Sequence, residues 1–509
     1  MAIMLPTGWD PSDPTPRVGI EIAFTRGPAG GQTVGRKALI ICNKVASVGS
    51  GSVDGLGSAL DTPVDIFGGE TEVIQRAGYH SEALLLYKLF VKYNKTTQVA
   101  LAIVPPGTGS GTFNLTFATN SDAAGSVRIY CNGEYIDVGV ASGDTPDTVK
   151  TSVITAINAQ LHWTVVASSG GTGIVTIASS MAGTRHDHAL NQFSAAMNLP
   201  NAMTVSKGAV TPGSTDDDQS TLITNLEQYD YYYQINPKHA TGAVSTTDNG
   251  IGEHATAMAL WVQANIGRNC VLLSGAVITP TNAILMAKSV NQPWFKVIHQ
   301  ENNRMSPGQL ATQYAAINSG LENTNRAAYE AGYGLDEPLD ILPPAAAGDR
   351  PTAAEIKAML NGGVSPIAFK GDRPYFVWPI TSKCLVNSLP AYQSRPGHVP
   401  SVGFTVREVL GTEWNAERQD YFADDPVDGQ VPQVNFTYKR DVRALIARIL
   451  RGLSGAGTMT ILDPGELTKS ISSIVVNKQN TGFASNFDFV PVKHLLISSF
   501  VAQDVGPSI

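Results

Sequence analysis

The sequence predicts an α/β fold (α+β overall) made of several parts. Short apolar runs alternate with helical stretches on both sides of residues 107–212, as in a doubly wound domain with buried parallel strands. Within residues 107–212 the alternation stops, and turn-rich β segments indicate an inserted β-rich module. A stretch rich in proline and small residues, 339–352, marks a further boundary. We therefore predict an N-terminal arm (1–30), an α/β domain (31–106 and 213–345), the inserted module (107–212) and a C-terminal α+β domain (346–509).

Two apolar strands are predicted near the chain ends. Residues 17–24 alternate strictly, and their apolar face consists of Val18, Ile20, Ile22 and Phe24. Residues 492–502 are apolar on both faces, and the residues concerned are Leu495, Leu496, Ile497, Phe500 and Val501. Exposed apolar strands aggregate, so both strands must pair with a sheet. That sheet is either their own or, as we predict, that of a neighbouring subunit.

The predicted α/β domain begins with the strand ALIICNKV (38–45), a helix over 81–94 and the strand QVALAIVPP (98–106). After the module, a helix over 219–227 is followed by the strand YDYYYQI (229–235). Its aromatic residues could form a stacking platform, but the α/β alternation demands a strand here and favours a structural role. The later predicted elements are the helix GEHATAMALWVQANI, the strand NCVLLSG, the helix TPTNAILMAKSV, the strand WFKVIHQ and the helix SPGQLATQYAAINSGLE.

The inserted module is predicted to consist of short strands around one helix. Asp144 and Thr145 are candidate caps for that helix, because they precede Pro146, a favoured first helical residue. The module begins and ends at joints rich in glycine and proline. We predict that it folds on its own and decorates the outside of the α/β domain.

The C-terminal domain is predicted to begin with a helix that Gly362 and Gly363 end, followed by two strands. A strongly amphipathic helix covers residues 437–453. Its apolar stripe consists of Val442, Leu445, Ile446, Ile449, Leu450 and Leu453. Its other face carries Lys439, Arg440, Arg443, Arg448 and Arg451, with only Asp441 as a nearby acid. This basic face is either solvated or a contact surface for an acidic partner.

The composition is globular but poor in charge. Charged residues make up 15% of the 509 residues, against about 25% in an ordinary soluble protein. Such a surface is either covered by partners, since interface cores are depleted in charge, or polar without charge. The net charge of −8 argues against general nucleic-acid binding.

The sequence shows no clear signal for secretion, for membrane insertion or for disulfide bonds. The N-terminal stretch MAIMLPTGWDPSDPTP lacks the features of a secretory signal, and no apolar run is long enough to span a membrane. We therefore expect no membrane insertion. The cysteines, Cys42, Cys131, Cys270 and Cys384, are far apart and are expected to be buried free thiols of a reducing compartment.

Catalytic motifs are not found in the sequence. The stretch GTGSGTF (107–113) lacks the lysine of a P-loop and leads into a strand. The histidines of RHDH (185–188) have no evident third metal ligand, so we expect a solvated turn. The acids of TDDDQS (215–220) precede a helix and are expected to cap it. We predict no catalytic residue, no cofactor and no bound metal.

The order of the segments RVGIEIAF, KALIICNKV and DIFGGETEVIQRAGYHSEALLLYKLFVKYNKTTQVALAIVPP resembles the opening of contractile tail sheath proteins of myophages, especially the Mu-like group. The insertion, with a GDT turn before a helix ending in AIN, is similar to the module inserted at the same place in those sheaths. The segments LNGGVSPIAFKGDRPYFVWPITS and NFTYKRDVRALIARILRGL resemble the sheath core domain. Cys42 and Asn43 depart from the glycine turn of the family, and residues 383–430 match it poorly.

The resemblance implies a mechanical protein rather than an enzyme. Copies of the chain would stack as rings, expected to be hexameric, in a helical sheath around a tail tube. Contraction of this sheath would drive the tube through the host envelope during genome delivery. The implied partners are the chain itself, the tail tube protein, and the baseplate and tail terminator proteins, without nucleic-acid contact. The implied location is the virion, after assembly in the host cytoplasm, and the resemblance assigns the basic face of residues 439–451 to the tube.

Two other functions are compatible with the residues. The chain could form the sheath of a phage-derived bacteriocin or secretion device, because the mechanics are shared. It could also be a cytoplasmic α/β enzyme that uses the inserted module as a lid, since catalytic groups can assemble from distant residues.

Overall fold

The computed structural model describes a large part of the chain. The described residues are 37–45, 60–198, 201–262, 268–321, 339, 341–342, 344, 346–386, 389–390, 406–407, 409–414, 416, 421–426, 436–454, 464–479 and 482–487. The residues predicted to form the exchanged strands, 17–24 and 492–502, lie outside these ranges. None of the helices within them has both the length and the apolar character of a membrane span.

The α/β domain begins with three strands and two helices. They are β1 (Ala38–Cys42), β2 (Pro63–Asp65), α1 (Gly69–Ala77), α2 (Glu82–Tyr93) and β3 (Val99–Ile103). The all-apolar segments ALIIC and VALAI form the parallel pair β1 and β3, and both are fully buried. Helix α2 begins after Ser81, whose Oγ accepts a hydrogen bond from the backbone N of Leu84.

The elements of the inserted module follow β3. They are β4 (Thr112–Ala118), β5 (Gly125–Cys131), β6 (Glu134–Val140), α3 (Pro146–Asn158), β7 (Val165–Gly171), β8 (Ile174–Ser179), α4 (Asp187–Gln192), β9 (Ser194–Met197) and β10 (Thr204–Lys207). A four-stranded and a three-stranded sheet enclose a separate core around Trp163. Thr145 caps α3 through its side chain and Pro146 is the first helical residue, as predicted.

The α/β pattern then resumes. The next elements are α5 (Ser220–Leu226), β11 (Tyr233–Asn236), α6 (Ile251–Trp261), β12 (Val271–Ala276), α7 (Pro280–Val290), β13 (Phe295–His299), α8 (Pro307–Leu321), α9 (Ala353–Asn361), β14 (Val364–Lys370) and β15 (Arg373–Phe376). The eight-stranded sheet has the order β15-β14-β13-β12-β11-β1-β3-β2. Its central pairs are parallel, and both edge strands are antiparallel to their neighbours. The predicted doubly wound α/β class is confirmed, and Tyr231, Tyr232 and Tyr233 are buried in its core.

Strands β14 and β15 correct the predicted boundary at residues 345 and 346. We expected them in the C-terminal domain, but β14 pairs in parallel with β13 and extends the large sheet. The segment that follows also belongs there, since Leu385 N donates to Asn291 Oδ1 at 3.0 Å. The proline-rich stretch is a connection within the sheet. Its prolines and small residues are typical of a linker, and no local pattern indicates that β14 pairs with β13.

The C-terminal part contains smaller elements. They are β16 (Leu385–Val386), β17 (Leu389–Pro390), β18 (Tyr421–Ala423), β19 (Phe436–Tyr438), α10 (Lys439–Ser454), α11 (Leu467–Ser472), β20 (Val475–Gln479) and β21 (Gly482–Asn486). Helix α10, called the basic helix below, buries its apolar stripe in a third core with α11 and β20. The predicted amphipathic helix is confirmed.

A glycine substitution tests the close packing of α8 on the large sheet. A Cβ atom on Gly275 in β12 would lie 2.0 Å from the carbonyl oxygen of Pro307. We expect Gly275→Ala to lower the free energy of unfolding by about 1–3 kcal/mol, because the backbone must shift. Gly139→Ala is the matched control, since a Cβ there meets no atom within 4 Å. Urea unfolding measures both, and equal stability of the two variants would contradict this packing.

Candidate functional site

The central crevice of the large sheet lies at the carboxyl ends of β1 and β11. The chain connects β1 to β3 on one side and later enters β11 on the other. Ligands of open α/β sheets bind at such a switch point. This crevice is therefore where the enzyme interpretation would place its active site.

Arg185 of the inserted module fills the crevice. Its guanidinium donates to both carboxylate oxygens of Asp217 at 2.9 and 2.8 Å. It also donates to Glu82 Oε2 at 2.6 Å and to Asn43 Oδ1 at 2.7 Å. His186 Nε2 lies 2.8 Å from the same Asn43 oxygen. We call these five residues the arginine junction, and all five are buried.

Tight packing of glycines brings Arg185 to this position. A Cβ on Gly107 would lie 2.1 Å from the carbonyl oxygen of Thr215, and one on Gly213 would lie 2.9 Å from backbone of Gly183. Gly183 has a φ of 111°, a conformation that favours glycine. The short turn that carries Arg185 begins directly after it. The two ends of the module thus lie against each other at a neck where Gly107 and Gly213 leave no room for a Cβ.

Burial and the neighbouring charges shift the pKa values of the groups in and beside the arginine junction. Burial raises the pKa of the Glu82 carboxyl, although Arg185 acts in the opposite direction. Burial would also raise the pKa of Asp217, but Arg185, the hydrogen bonds to Asp217 and Lys238 together outweigh burial and lower that pKa. Burial and the adjacent guanidinium lower the pKa of His186 to about 3, so its ring is neutral at neutral pH. Burial and Asp217 raise the pKa of Asp216 to about 6. One buried cation therefore faces two buried carboxylates.

A second layer of side chains, two of which belong to β11, completes the network. Gln219 Nε2 donates to Asp217 Oδ2 at 3.0 Å, and Asn236 Nδ2 donates to Gln219 Oε1 at 2.7 Å. His254 Nε2 lies 2.6 Å from Gln234 Oε1. These polar groups satisfy one another, as buried polar groups must. The crevice holds the module to the sheet instead of presenting these groups to a ligand.

Two predictions from the sequence are corrected here. The RHDH segment is buried, not a solvated turn, and His188 Nε2 lies 3.0 Å from the carbonyl oxygens of Asn303 and Met305. In the TDDDQS segment, Asp218 accepts from Ser220 N just before α5, but the N-cap residue is Gln219 and no side chain forms the capping hydrogen bond. Asp217 belongs to the junction instead. Within the described residues, no group of three or more metal-ligating side chains could hold a metal ion. The cysteines are buried and free, as predicted.

Glu82, Asn43, Asp217 and Arg185 were not predicted as a cluster. They come from four separate stretches of the chain, and no local pattern joins them. One signal was present: Asn43 stands where the resemblance leads us to expect a glycine turn. Its side chain accepts from Arg185 and donates to Val104 O at 2.9 Å.

The inserted module also contacts the α/β domain outside the arginine junction. His80 N donates to Leu161 O at 2.6 Å, and Gln309 Nε2 donates to Asn132 O at 2.8 Å. Removing the module would uncover these groups together with the junction. The predicted independent folding of the module stays a prediction, and the contacts give it one defined orientation.

The basic helix is the second candidate site. The five predicted residues lie away from its buried stripe, and Arg440, Arg443, Arg448 and Arg451 are exposed. More acids lie nearby than Asp441 alone: Lys439 pairs with Asp424 at 2.7 Å and Arg448 with Glu413 at 2.8 Å. Arg443 and Arg451 form no ion pair with any described residue. These two arginines are the part of the predicted face best placed to meet a partner.

Comparisons with known proteins give distant matches. No protein-family model matches the sequence, and no curated protein matches it. A sheath tail protein from Desulfitobacterium hafniense superimposes with a TM-score of 0.47 at 14% identity, over 94% of this chain and 97% of that one. A sheath tail protein from Listeria innocua gives 0.45 at 11%, over 91% and 94%.

Substitution of Arg185 tests the arginine junction. We expect Arg185→Met to lower the free energy of unfolding by about 3–5 kcal/mol at about pH 8, because two carboxylates lose their buried partner. Arg185 opposes the burial that raises the pKa of Glu82 and helps to lower the pKa of Asp217, so both pKa values should rise in the variant. A carboxyl whose pKa is raised in the folded state makes the folded protein less stable as the pH rises through that pKa. The penalty should therefore shrink as the pH falls toward about 5.

The matched control is Arg128→Met, which removes a surface pair with Asp137 at 2.7 Å. We expect little change in stability, because exposed ion pairs contribute little. Urea unfolding at both pH values measures the two variants. An Arg185 penalty that is small, or that does not depend on pH, would contradict the description of the junction.

Proposed function

We propose that the chain is a structural subunit of a contractile phage tail sheath. Copies polymerise around a tail tube, and contraction drives the tube through the host envelope during genome delivery. The order of sequence segments that resembles such sheaths supports this proposal. The filled central crevice also supports it. The position at which open α/β sheets usually bind a ligand here holds the inserted module instead.

The arginine junction also weighs against the enzyme with an inserted lid. Opening such a lid would separate Arg185 from Glu82 and Asp217, whose side chains are 7% and 1% exposed. A buried charge without its partner is strongly unfavourable. A module held in this way suits a rigid building block better than a gate.

We further propose that the chain has four parts: the arm 1–30, the α/β domain, the module 107–212 and a C-terminal core domain. The position of β14, β15 and Leu385 supports extending the α/β domain to about residue 386. The basic helix and its core then belong to the C-terminal core domain.

The C-terminal core domain would accept strands from neighbouring subunits. Strands β18 and β19 form a two-stranded parallel sheet among the described residues, and two strands alone are marginally stable. Tyr421 on β18 is 59% exposed and stacks on Phe436 with ring centroids 5.3 Å apart. Residues 17–24 and 492–502 would complete such sheets and connect subunits. The same subunits would contact the tail tube, baseplate and terminator proteins.

Electron microscopy of the purified chain tests the proposed function. We expect rods or stacked rings of uniform diameter in negative stain. A monodisperse globular particle at all concentrations would favour the enzyme instead.

Deletion of residues 1–26 tests the strand exchange. We expect the truncated chain to remain folded and soluble but to form no tubes, because only the link between subunits is lost. Circular dichroism and sedimentation measure the two properties. Normal tubes, or an unfolded monomer, would show that the arm belongs to its own domain.

Charge reversal tests the tube contact. We expect Arg443→Glu together with Arg451→Glu to weaken co-assembly with the tail tube protein, most strongly at low salt, because an acidic tube surface would be repelled. Lys357→Glu with Lys370→Glu is the control, since both lysines are exposed and the charge change is equal. Co-sedimentation with tubes at two salt concentrations measures both. Equal behaviour of the two double variants would place the contact elsewhere.

A further inference from the structure

Phe67 is the most exposed large apolar side chain among the described residues, at 80%. It follows β2, the edge strand of the large sheet, which pairs only with β3 among the described strands. A single exposed apolar residue is ordinary. The loop that carries Phe67, however, is held in place by side-chain hydrogen bonds.

The loop that carries Phe67 is fixed by a carboxylate. Glu72 Oε2 accepts from the backbone N of Phe67 at 2.9 Å and from that of Gly68 at 2.7 Å. Arg76 holds the other Glu72 oxygen at 2.8 Å. Hydrogen bonds from the two backbone groups and from Arg76 outweigh partial burial and lower the pKa of Glu72, so the clamp is charged at neutral pH. The aromatic ring is therefore presented on a rigid loop.

The surface around Phe67 is electrically balanced. Lys37 pairs with Asp65 on one side of the loop. On the other side, Lys88 pairs with Glu70 at 3.3 Å, and Arg76 pairs with Glu72. Three bases thus compensate three acids. A strongly acidic or basic partner finds no complementary charge on this surface. A partner with few charges can bind here without leaving a charge of its own unpaired.

We propose that Phe67 is an anchor for self-association, whose ring enters an apolar site on a second copy of this chain. A rigid, preorganised aromatic group is the usual centre of a protein interface, because little entropy is lost when it is buried. The second copy fits the balanced surface, since only 15% of its residues are charged. A ring on one copy and its receiving site on another form a heterologous contact, which generates rings or helices. This inference rests on the proposed sheath function and adds to it a contact that uses no exchanged strand.

The test is the critical concentration for assembly of the full chain. We expect Phe67→Ser to raise it by about 30-fold, equivalent to about 2 kcal/mol per contact. Phe67→Leu should restore most of the loss. Glu72→Gln should also raise the critical concentration although Phe67 is intact, because the neutral amide holds the loop less firmly. Sedimentation measures polymer, and thermal unfolding of the unassembled subunit should be unchanged in Phe67→Ser.

Tyr135→Ser is the control, because Tyr135 is an aromatic residue of the inserted module that is 50% exposed. It should assemble as the unaltered chain does. An unaltered chain that never assembles would refute the proposed function itself. Assembly with a normal critical concentration in Phe67→Ser, or an equal loss in Tyr135→Ser, would overturn the anchor and leave the sheath function standing. Normal self-assembly with weaker tube binding would assign Phe67 to the tube and also overturn it.

Discussion

The pairing of Arg185 with Glu82 and Asp217 is the constraint on which the arrangement of the α/β domain and its module depends. A buried guanidinium requires acceptors on several sides, and here they come from α2, from the loop after β1 and from the segment before α5. No one of these segments can move away without leaving a charge unpaired at low dielectric. The sheet and the module therefore form one body, and the neck glycines allow the two ends of the module to lie against each other there.

Local patterns were sufficient to predict much of the fold. The α/β alternation and the Thr145 cap depend on residues close in sequence, and the structure agrees with both. The place of β14 depends on its pairing with β13, from which it is separated by α8 and α9. No local period reports such a partner, and the intervening prolines suggested a boundary. The structure does not describe the terminal strands, so their pairing stays a prediction.

The candidate sites differ in the same way. The outward position of Arg443 and Arg451 follows from the 3.6-residue period of the basic helix, and it could be predicted. The ion pairs of Lys439 and Arg448 could not, because Asp424 and Glu413 come from other segments. The burial of RHDH was missed for a related reason. Its polar composition suggests solvation unless the distant carboxylates that receive Arg185 are known.

The arginine junction also limits how modules could be exchanged between related chains during evolution. A module transferred into this α/β domain would have to bring a cation to Glu82 and Asp217, or arrive together with changes at both carboxylates. It would also need glycine where the neck leaves no room for a Cβ, as at Gly107 and Gly213. Modules of this kind should therefore be inherited together with the residues of the host domain that receive them, so that recombination at the neck alone yields poorly folded chains.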